Sequence, residues 1–292
     1  MKKFTFTLLT VCGLLAAAYS ANAQSFVGLG YDGNTVSTYS APGAMPTTYA
    51  VTGLNNSDRL INIDYFSSGT GQLFGMGSSG TLYTLAQSGT TTYAATVNVN
   101  YAVPGATVID FNPMANRLRV YAGTSNYRLT PTVGLVTNDG TLAFVSGDPN
   151  FGTSPNLTAA AYLNNFPGTT ATSLYSIDAS LDALILNING PGFSGLTTVG
   201  TLTLGGVRLD VGAGTTGFDI YTLNGVNTAY LSSGNSLYTV NLSNGALTSL
   251  GRQLGTNIID VAVVPEPGTW AMWSVGVVAL GFVAYRRRRL AA

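Results

Sequence analysis

Four aspartates recur at matching places along the chain. Asp64, Asp110, Asp219 and Asp260 stand in the runs LINIDYF, TVIDFNP, TGFDIYT and NIIDVAV, and a fifth run, TAAAYLN, has Ala161 at that place. Carboxylates at equivalent positions of a repeat can gather around one axis. There they could supply oxygen ligands to a cation such as Ca²⁺, or a pair of them could serve as acid and nucleophile on a glycosidic bond. The simpler expectation is that each accepts hydrogen bonds from backbone groups of a neighbouring turn and locks one repeat to the next. A structural device is repeated with the fold, whereas a site breaks the repeat. A second group, Arg117, Arg119 and Arg128, places three guanidinium groups within 12 residues. Residues 117 and 119 point to one face of a strand, with Arg128 on the hairpin partner. Like charges so close need carboxylates. Either they bind acidic sugar groups, for which Arg forks are suited, or they pair with Asp110 and another Asp. Pairing is the favoured reading.

The rest of the composition narrows the chemistry. The chain has no His, and its one Cys is Cys12. Between Gln24 and Val264 there are six Arg, no Lys, no Glu and eleven Asp, a net charge of about −5. Such a body is poorly suited to nucleic acid, which needs a basic footprint. General acid–base work would fall to Asp, Tyr or Arg, and no phosphate loop or transition-metal cluster is present. The expectation is a protein without catalytic residues, cofactor or metal, Ca²⁺ being the one cation considered.

The elements that must position these residues repeat. After Asp64 come GQLFGMGS, GTLYTLAQSG and TTYAATVNV; after Asp110, NRLRVYAG, NYRLTPTVG and TLAFVSG. After Ala161 come TSLYSIDA, DALILNING and LTTVGTLTL; after Asp219, NTAYLSSG, NSLYTVNLSNG and ALTSLGRQL. Each unit is four short strands joined by Gly, Asn or Ser turns, with a period of 41 to 58 residues. That pattern predicts an all-β chain folded as a β-propeller of four-stranded blades. The N-terminal FVGLGYDGN, TVSTYSAPG and TTYAVTGL supply three strands without a leading run, and NIIDVAVV supplies a leading run with nothing after it. Joined, they make a fifth blade and remove two free edges. Six blades would need further strands between Asp139 and Leu157, and a parallel β-helix is the main rival architecture. Asx turns account for Asp148, Asp178 and Asp182.

The two ends are of a different kind. Residues 1–23 have two Lys, an apolar stretch and Ala21-Asn22-Ala23, a signal peptide cleaved after Ala23 by signal peptidase. A lipoprotein signal on Cys12 fails because Val11 is too bulky before it. The body spans 24–264. In 265–292, the uncharged segment Thr269 to Tyr285 would span about 25 Å as a helix, the lower limit for a bilayer. Arg286, Arg287, Arg288 and Arg289 follow, and the positive-inside rule keeps them in the cytoplasm. The body is then outside. Pro265-Glu266-Pro267 holds an extended, exposed segment ahead of that helix, which a processing enzyme can grip.

Val264-Pro265-Glu266-Pro267-Gly268, the short apolar helix and the Arg cluster resemble the PEP-CTERM sorting signal. That resemblance implies recognition by an exosortase, a membrane-embedded transpeptidase-like enzyme of Gram-negative bacteria that make exopolysaccharide, and hence only a transient anchor. The body resembles an uncharacterised bacterial domain family found upstream of such tails. Val108-Ile109-Asp110-Phe111-Asn112-Pro113, Asn116-Arg117-Leu118-Arg119-Val120, Asn126-Tyr127-Arg128 and Gly147-Asp148-Pro149-Asn150 carry the likeness. Asn116 stands where that family usually has Asp, and Thr124-Ser125 where it usually has Gly-Gln. No activity is attached to that family. The expectation is an exported, non-catalytic surface or matrix protein associated with exopolysaccharide, the alternative being a polysaccharide hydrolase using the repeated Asp.

Overall fold

The computed structural model of the chain describes residues 24–265, apart from residues 56, 102, 104, 132 and 189. The expected signal segment with Ala21 and Ala23, and the tail with Glu266, Pro267, the apolar segment 269–285 and the cluster 286–289, lie outside the described residues. No helix among the described residues is long and apolar enough to cross a membrane.

The fold is all-β. Three strands open it, β1 (Phe26–Gly30), β2 (Thr35–Tyr39) and β3 (Thr47–Thr52). Next comes a unit of β4 (Leu60–Tyr65), β5 (Leu73–Gly77), β6 (Thr81–Ser88) and β7 (Thr92–Asn100). Another follows as β8 (Ala106–Asn112), β9 (Arg117–Ala122), β10 (Ser125–Leu129) and β11 (Val136–Thr141), trailed by the two-residue β12 (Ala143–Phe144). The fourth is β13 (Leu157–Tyr162), β14 (Leu174–Asp178), β15 (Ala183–Asn187) and β16 (Gly195–Thr201), with a 3-10 turn at Pro191–Phe193. After the short β17 (Thr203–Leu204) and β18 (Val207–Arg208) come β19 (Thr216–Leu223), β20 (Val226–Ser233), β21 (Ser236–Val240) and β22 (Ala246–Gln253). The last strand, β23 (Ile258–Val263), pairs antiparallel with β1, Phe26 opposite Val263 and Leu29 opposite Asp260. The first and last strands thus complete one unit, β23-β1-β2-β3.

Each unit is an antiparallel meander, and its inner strands are more fully buried than a simple alternation predicts: in TLYTL of β6 only Thr84 is half-buried. The leading strands β4, β8, β13, β19 and β23 are buried on both faces, because each packs on its own sheet and on the next leading strand. β23 packs on β4, β4 on β8, β8 on β13, β13 on β19 and β19 on β23, so the five contacts form a closed cycle. Gly217 is needed at the last of these: a Cβ there would lie 2.5 Å from Val261 N and 2.6 Å from Asp260 Cα. Apolar clusters fill the spaces between successive units. One joins Ala159, Ala161, Ile177 and Leu184 to Phe218, Ile220 and Leu231. Another joins Phe74, Met76 and Leu82 to Ile109, Phe111 and Val120.

The outer edges depart from the simple repeat. β3 and β7 pair in parallel, so the first two units merge into one eight-stranded sheet, nearly barrel-shaped, whose end strands β23 and β4 touch. The apolar run TLAFVSG, expected as the fourth strand of the third unit, is not that strand. VTNDGT forms β11 instead, and Ala143–Phe144 crosses to pair in parallel with β16 of the next unit. Leu142 and Phe144 are buried in the cluster between these units, which is why the apolar run turns inward and leaves the exposed outer edge to polar residues. LTTVGTLTL is split in the same manner, β17 leaving the fourth unit to pair with β22 of the fifth. Among the described residues 139–157 only β12 and the end of β11 are extended before β13 begins, so no sixth four-stranded unit lies there.

Candidate functional site

Two places gather the polar groups of the body: the axis, where the repeated acids meet, and the mouth, where the leading strands begin. The third candidate, the Arg group, stays on the β9–β10 hairpin, where Arg119 and Arg128 share Asp139.

On the axis, Asp64, Asp110, Asp219 and Asp260 are all buried, none more than 5% exposed. Each carboxylate accepts a hydrogen bond from the backbone of the next leading strand. Asp64 Oδ2 accepts from Phe111 N at 2.7 Å, and Asp110 Oδ1 from Tyr162 N at 3.0 Å. Asp219 Oδ2 accepts from Val263 N at 2.6 Å, and Asp260 Oδ2 from Ile63 N at 2.8 Å. The partners lie on strands rather than on turns. Successive leading strands share no backbone ladder, and a carboxylate one side chain long links them instead. Asn62 does the same one ladder step earlier, its Oδ1 accepting from Ile109 N at 3.1 Å. Ala161 breaks the series between β13 and β19. At that junction the links lie beyond the strand: Asn164 N donates to Asn227 Oδ1, Asn227 Nδ2 returns to Asn164 Oδ1, and Asn165 N donates to Thr222 Oγ1.

No cationic side chain pairs with these four acids among the described residues. Burial pushes the Asp64, Asp110 and Asp260 carboxyls well above the usual carboxylate range, and the neighbouring acids push the same way. Asp219 is pushed up to about 6, again by burial, against hydrogen bonds from Val263 N and Ile220 N that favour its ionised form. One oxygen from each of Asp64, Asp110 and Asp219 lies within 4.8 Å of the others. These three could supply ligands to a hard cation, but each already spends an oxygen on a backbone N–H. Ca²⁺ asks for six to eight oxygens, so most of its shell would come from elsewhere.

The Arg group stays together but not around Asp110: Arg119 and Arg128 face each other in the β9–β10 register, and Arg117 and Arg128 line a common cavity. Arg119 is 3% exposed, and its partner is Asp139 (2.7 Å), not Asp110, although Asp110 lies opposite it in the β8–β9 register. Asp110 is engaged with β13, while the Arg119 guanidinium also donates to Asn126 Oδ1 (2.7 Å) and Tyr162 OH (3.1 Å) and lies over the Phe193 ring. Arg128 reaches the other oxygen of Asp139 at 3.2 Å from a half-exposed position. Arg117 Nη1 donates to the Ala115 and Asn116 carbonyls. Asp139, in an Asn-Asp-Gly sequence that reads as a turn, is thus the shared anion of the cluster. Asp148 and Asp178 do cap Asx turns at Asn150 N and Ser180 N. Asp182 does not: it binds Arg208 Nε (2.6 Å) and Val211 N (2.9 Å), and so holds the β18 hairpin against the fourth unit.

The mouth is a cavity of about 550 Å³ to which turns of all five units contribute. Its lining includes Tyr31, Arg59, Thr107, Asn156, Thr158 and Thr215. Sequence reasoning did not find Tyr31 or Arg59. The one available signal was that Arg59 directly precedes a leading strand.

A family profile described as a domain of unknown function (DUF4394) matches residues 35–262. The PEP-CTERM protein-sorting motif matches residues 263–289, which marks the chain as an exported protein with an exosortase as its processing partner. No curated protein matches the chain. Among solved structures, an auxiliary nutrient binding protein from Bacteroides ovatus is 10% identical, with a TM-score of 0.45 over 79% of this chain and 62% of that one. A protein of unknown function from Bacteroides thetaiotaomicron is 13% identical, with a TM-score of 0.48 over 84% and 62%. The allergen Mala s 1 of Malassezia sympodialis is 11% identical, with a TM-score of 0.46 over 82% and 79%. The chain spans 62% of the length of the two Bacteroides proteins.

Proposed function

The chain belongs to the DUF4394 family and carries a PEP-CTERM sorting motif, and from that premise we propose a non-catalytic surface or matrix protein built as a five-bladed β-propeller. In this reading an exosortase acts at Pro265-Glu266-Pro267 after signal peptidase has cut behind Ala23. The 269–285 segment is a transient transmembrane helix, and the body passes to the exopolysaccharide layer of a Gram-negative cell. The propeller reading draws its support from five four-stranded units whose leading strands touch in a closed cycle, with β1 and β23 joining the chain ends.

The observation that carries the non-catalytic reading is the engagement of the repeated acids. All four carboxylates accept from backbone N–H groups of a neighbouring strand and are buried out of reach of a polymer substrate. A hydrolase would need two accessible carboxyls flanking a scissile bond. The experiment is the intact mass of the protein recovered separately from host membranes, surface matrix and medium, with retention on the host's own polysaccharide measured alongside. A chain from Gln24 to near Pro265 in the matrix fraction, retained on that polysaccharide, is the expected result. A chain ending at Ala292 in every fraction, or one that passes the polysaccharide unretained, overturns the reading.

A further inference from the structure

The sequence places an acidic body in a matrix role, yet the mouth has the opposite sign. None of the eleven Asp lines it, and Arg59 does. Among the described residues the Arg59 guanidinium is exposed and has no ion-pair or hydrogen-bond partner, unlike Arg117, Arg119, Arg128 and Arg208, which are all engaged. An unpaired cation costs nothing in water, so exposure alone is unremarked; its placement is not.

The loop that presents Arg59 is fixed on both sides. Asp58, the preceding residue, accepts from Ser78 Oγ (2.8 Å), Ser79 N (3.0 Å), Ser79 Oγ (2.7 Å) and Tyr83 OH (2.7 Å), and these bonds hold its carboxyl below the usual range despite burial. On the other side, Leu60 N donates to Gly33 O at 2.9 Å. Gly33 has φ of 69°, and a Cβ there would lie 3.0 Å from Arg59 Cβ and 2.3 Å from Leu60 O. The β1–β2 turn can therefore sit flush on the Arg59 loop only because residue 33 is glycine. That turn carries Tyr31, 66% exposed, into the same cavity. Thr107, Thr158 and Thr215 line it too; the Thr107 and Thr215 hydroxyls donate to Tyr121 O and Gly212 O, and the Thr158 hydroxyl is buried without a partner among the described residues.

The geometry points to the mouth as a binding site for an acidic sugar, with Arg59 forking onto its carboxylate or sulfate and Tyr31 covering the apolar face of its ring. A cavity of this size holds a sugar unit or two. An Arg fork fits a planar anion in two parallel hydrogen bonds, and an exposed Tyr offers a rigid apolar face with a polar edge. The site lies apart from the Arg117, Arg119 and Arg128 group on the third unit, for which acidic-sugar recognition was the less favoured reading of the sequence. The inference rests on the glycan-associated reading above and supplies its ligand class and its place.

The test is titration of the full-length chain in detergent with three probes: trigalacturonate, a sulfated trisaccharide and neutral maltotriose. Wild type is expected to bind one or both anionic probes about tenfold or more tightly than maltotriose, and the anion preferred identifies the group Arg59 takes. Arg59→Gln is expected to bring the three within about twofold, and Tyr31→Ala to weaken all three by about fivefold. Arg128→Gln, outside the mouth, should change nothing. Both mouth side chains are exposed, so equal melting temperatures should show that the variants fold. No binding of any probe, no anionic preference, or a preference that survives R59Q overturns the site. Retention on host polysaccharide separates the two claims: if R59Q is retained like wild type, the site falls while the function stands; if wild type is not retained, the function falls.

Discussion

The β8–β13 and β13–β19 junctions solve one packing problem by different means. At the first, Asp110 reaches from β8 to Tyr162 N on the axis. At the second, Ala161 and its neighbours Ala159 and Ile220 pack dry, and the polar links move outward to Asn164, Asn227 and Thr222. The difference follows from crowding. The three acids Asp64, Asp110 and Asp219 already bring oxygens within 4.8 Å of each other, and no cationic side chain among the described residues pairs with them. A fifth carboxyl in the ring would have to be desolvated among carboxyls that burial already drives toward the neutral form. An alanine at that place relieves the charge, and neutral amides further along the strand replace its bonds.

Placing the missing acid in the ring should break this arrangement most severely. Ala161→Asp buries an unpaired carboxyl in an apolar cluster and is expected to cost about 3–5 kcal/mol, a fall in melting temperature of roughly 10 °C. A thermal melt unchanged from wild type would mean that the junction has room and partners for the acid. Removing an existing link is the milder change. Asp64→Ala leaves Phe111 N without its acceptor and should cost about 2 kcal/mol in denaturant unfolding, whereas Asp64→Asn keeps an acceptor there and should cost less than half as much. Equal losses would deny the hydrogen bond its part.

The smallest single-residue effect is the pH dependence that Asp219 carries, to which Asp64, Asp110 and Asp260 add in the same direction. A carboxyl whose folded pKa is raised binds its proton more tightly in the folded state, so its stabilisation is full below its ordinary value and is lost as pH rises through the folded one. For Asp219 the window runs from 3.8 to about 6. Between pH 5 and pH 7 the loss is about 1 kcal/mol. Asp58 and Asp148, whose carboxyls are lowered by hydrogen bonds against burial, act in the other direction and only on acidification below the usual carboxylate range. A higher melting point at pH 5 than at pH 7, partly flattened in Asp219→Asn, is therefore expected. A wild-type melt that rises steadily from pH 5 to pH 7 would contradict it.

The leading strands could be read from the sequence because each joins a run of apolar residues to an acid or its substitute, a pattern set by burial on both faces. All five, from Leu60–Tyr65 to Ile258–Val263, stand where that pattern puts them. Most outer strands could be read as well, TTYAATVNV being β7 and ALTSLGRQL β22; β11 and the end of LTTVGTLTL could not, because there the chain obeys neighbours that local sequence does not name. Asn138-Asp139-Gly140 has turn chemistry, yet it lies in an edge strand because Asp139 meets Arg119 and Arg128 there. The apolar run from Leu142 is drawn away into the next unit's cluster. The axis acids were visible as a repeat, and the identity of their partners was not, since those partners are backbone groups 44 to 197 residues away. Tyr31 and Arg59 meet only through the Gly33–Leu60 contact, which has no local signature.

The junction of the chain ends sets the order of events in time. β23 pairs with β1, Gln24 Nε2 donates to Val264 O across 240 residues, and Val264 N returns to Ser25 O. Contacts so distant in sequence form late, and the closing strand is the last part of the body to leave the ribosome and to cross the membrane. Until Val263 has emerged, β1 and β4 lack the strand that lies between them. The sorting motif begins at Val263 itself, the last residue of β23, so the strand that closes the body and the segment that directs its sorting leave the ribosome one directly after the other.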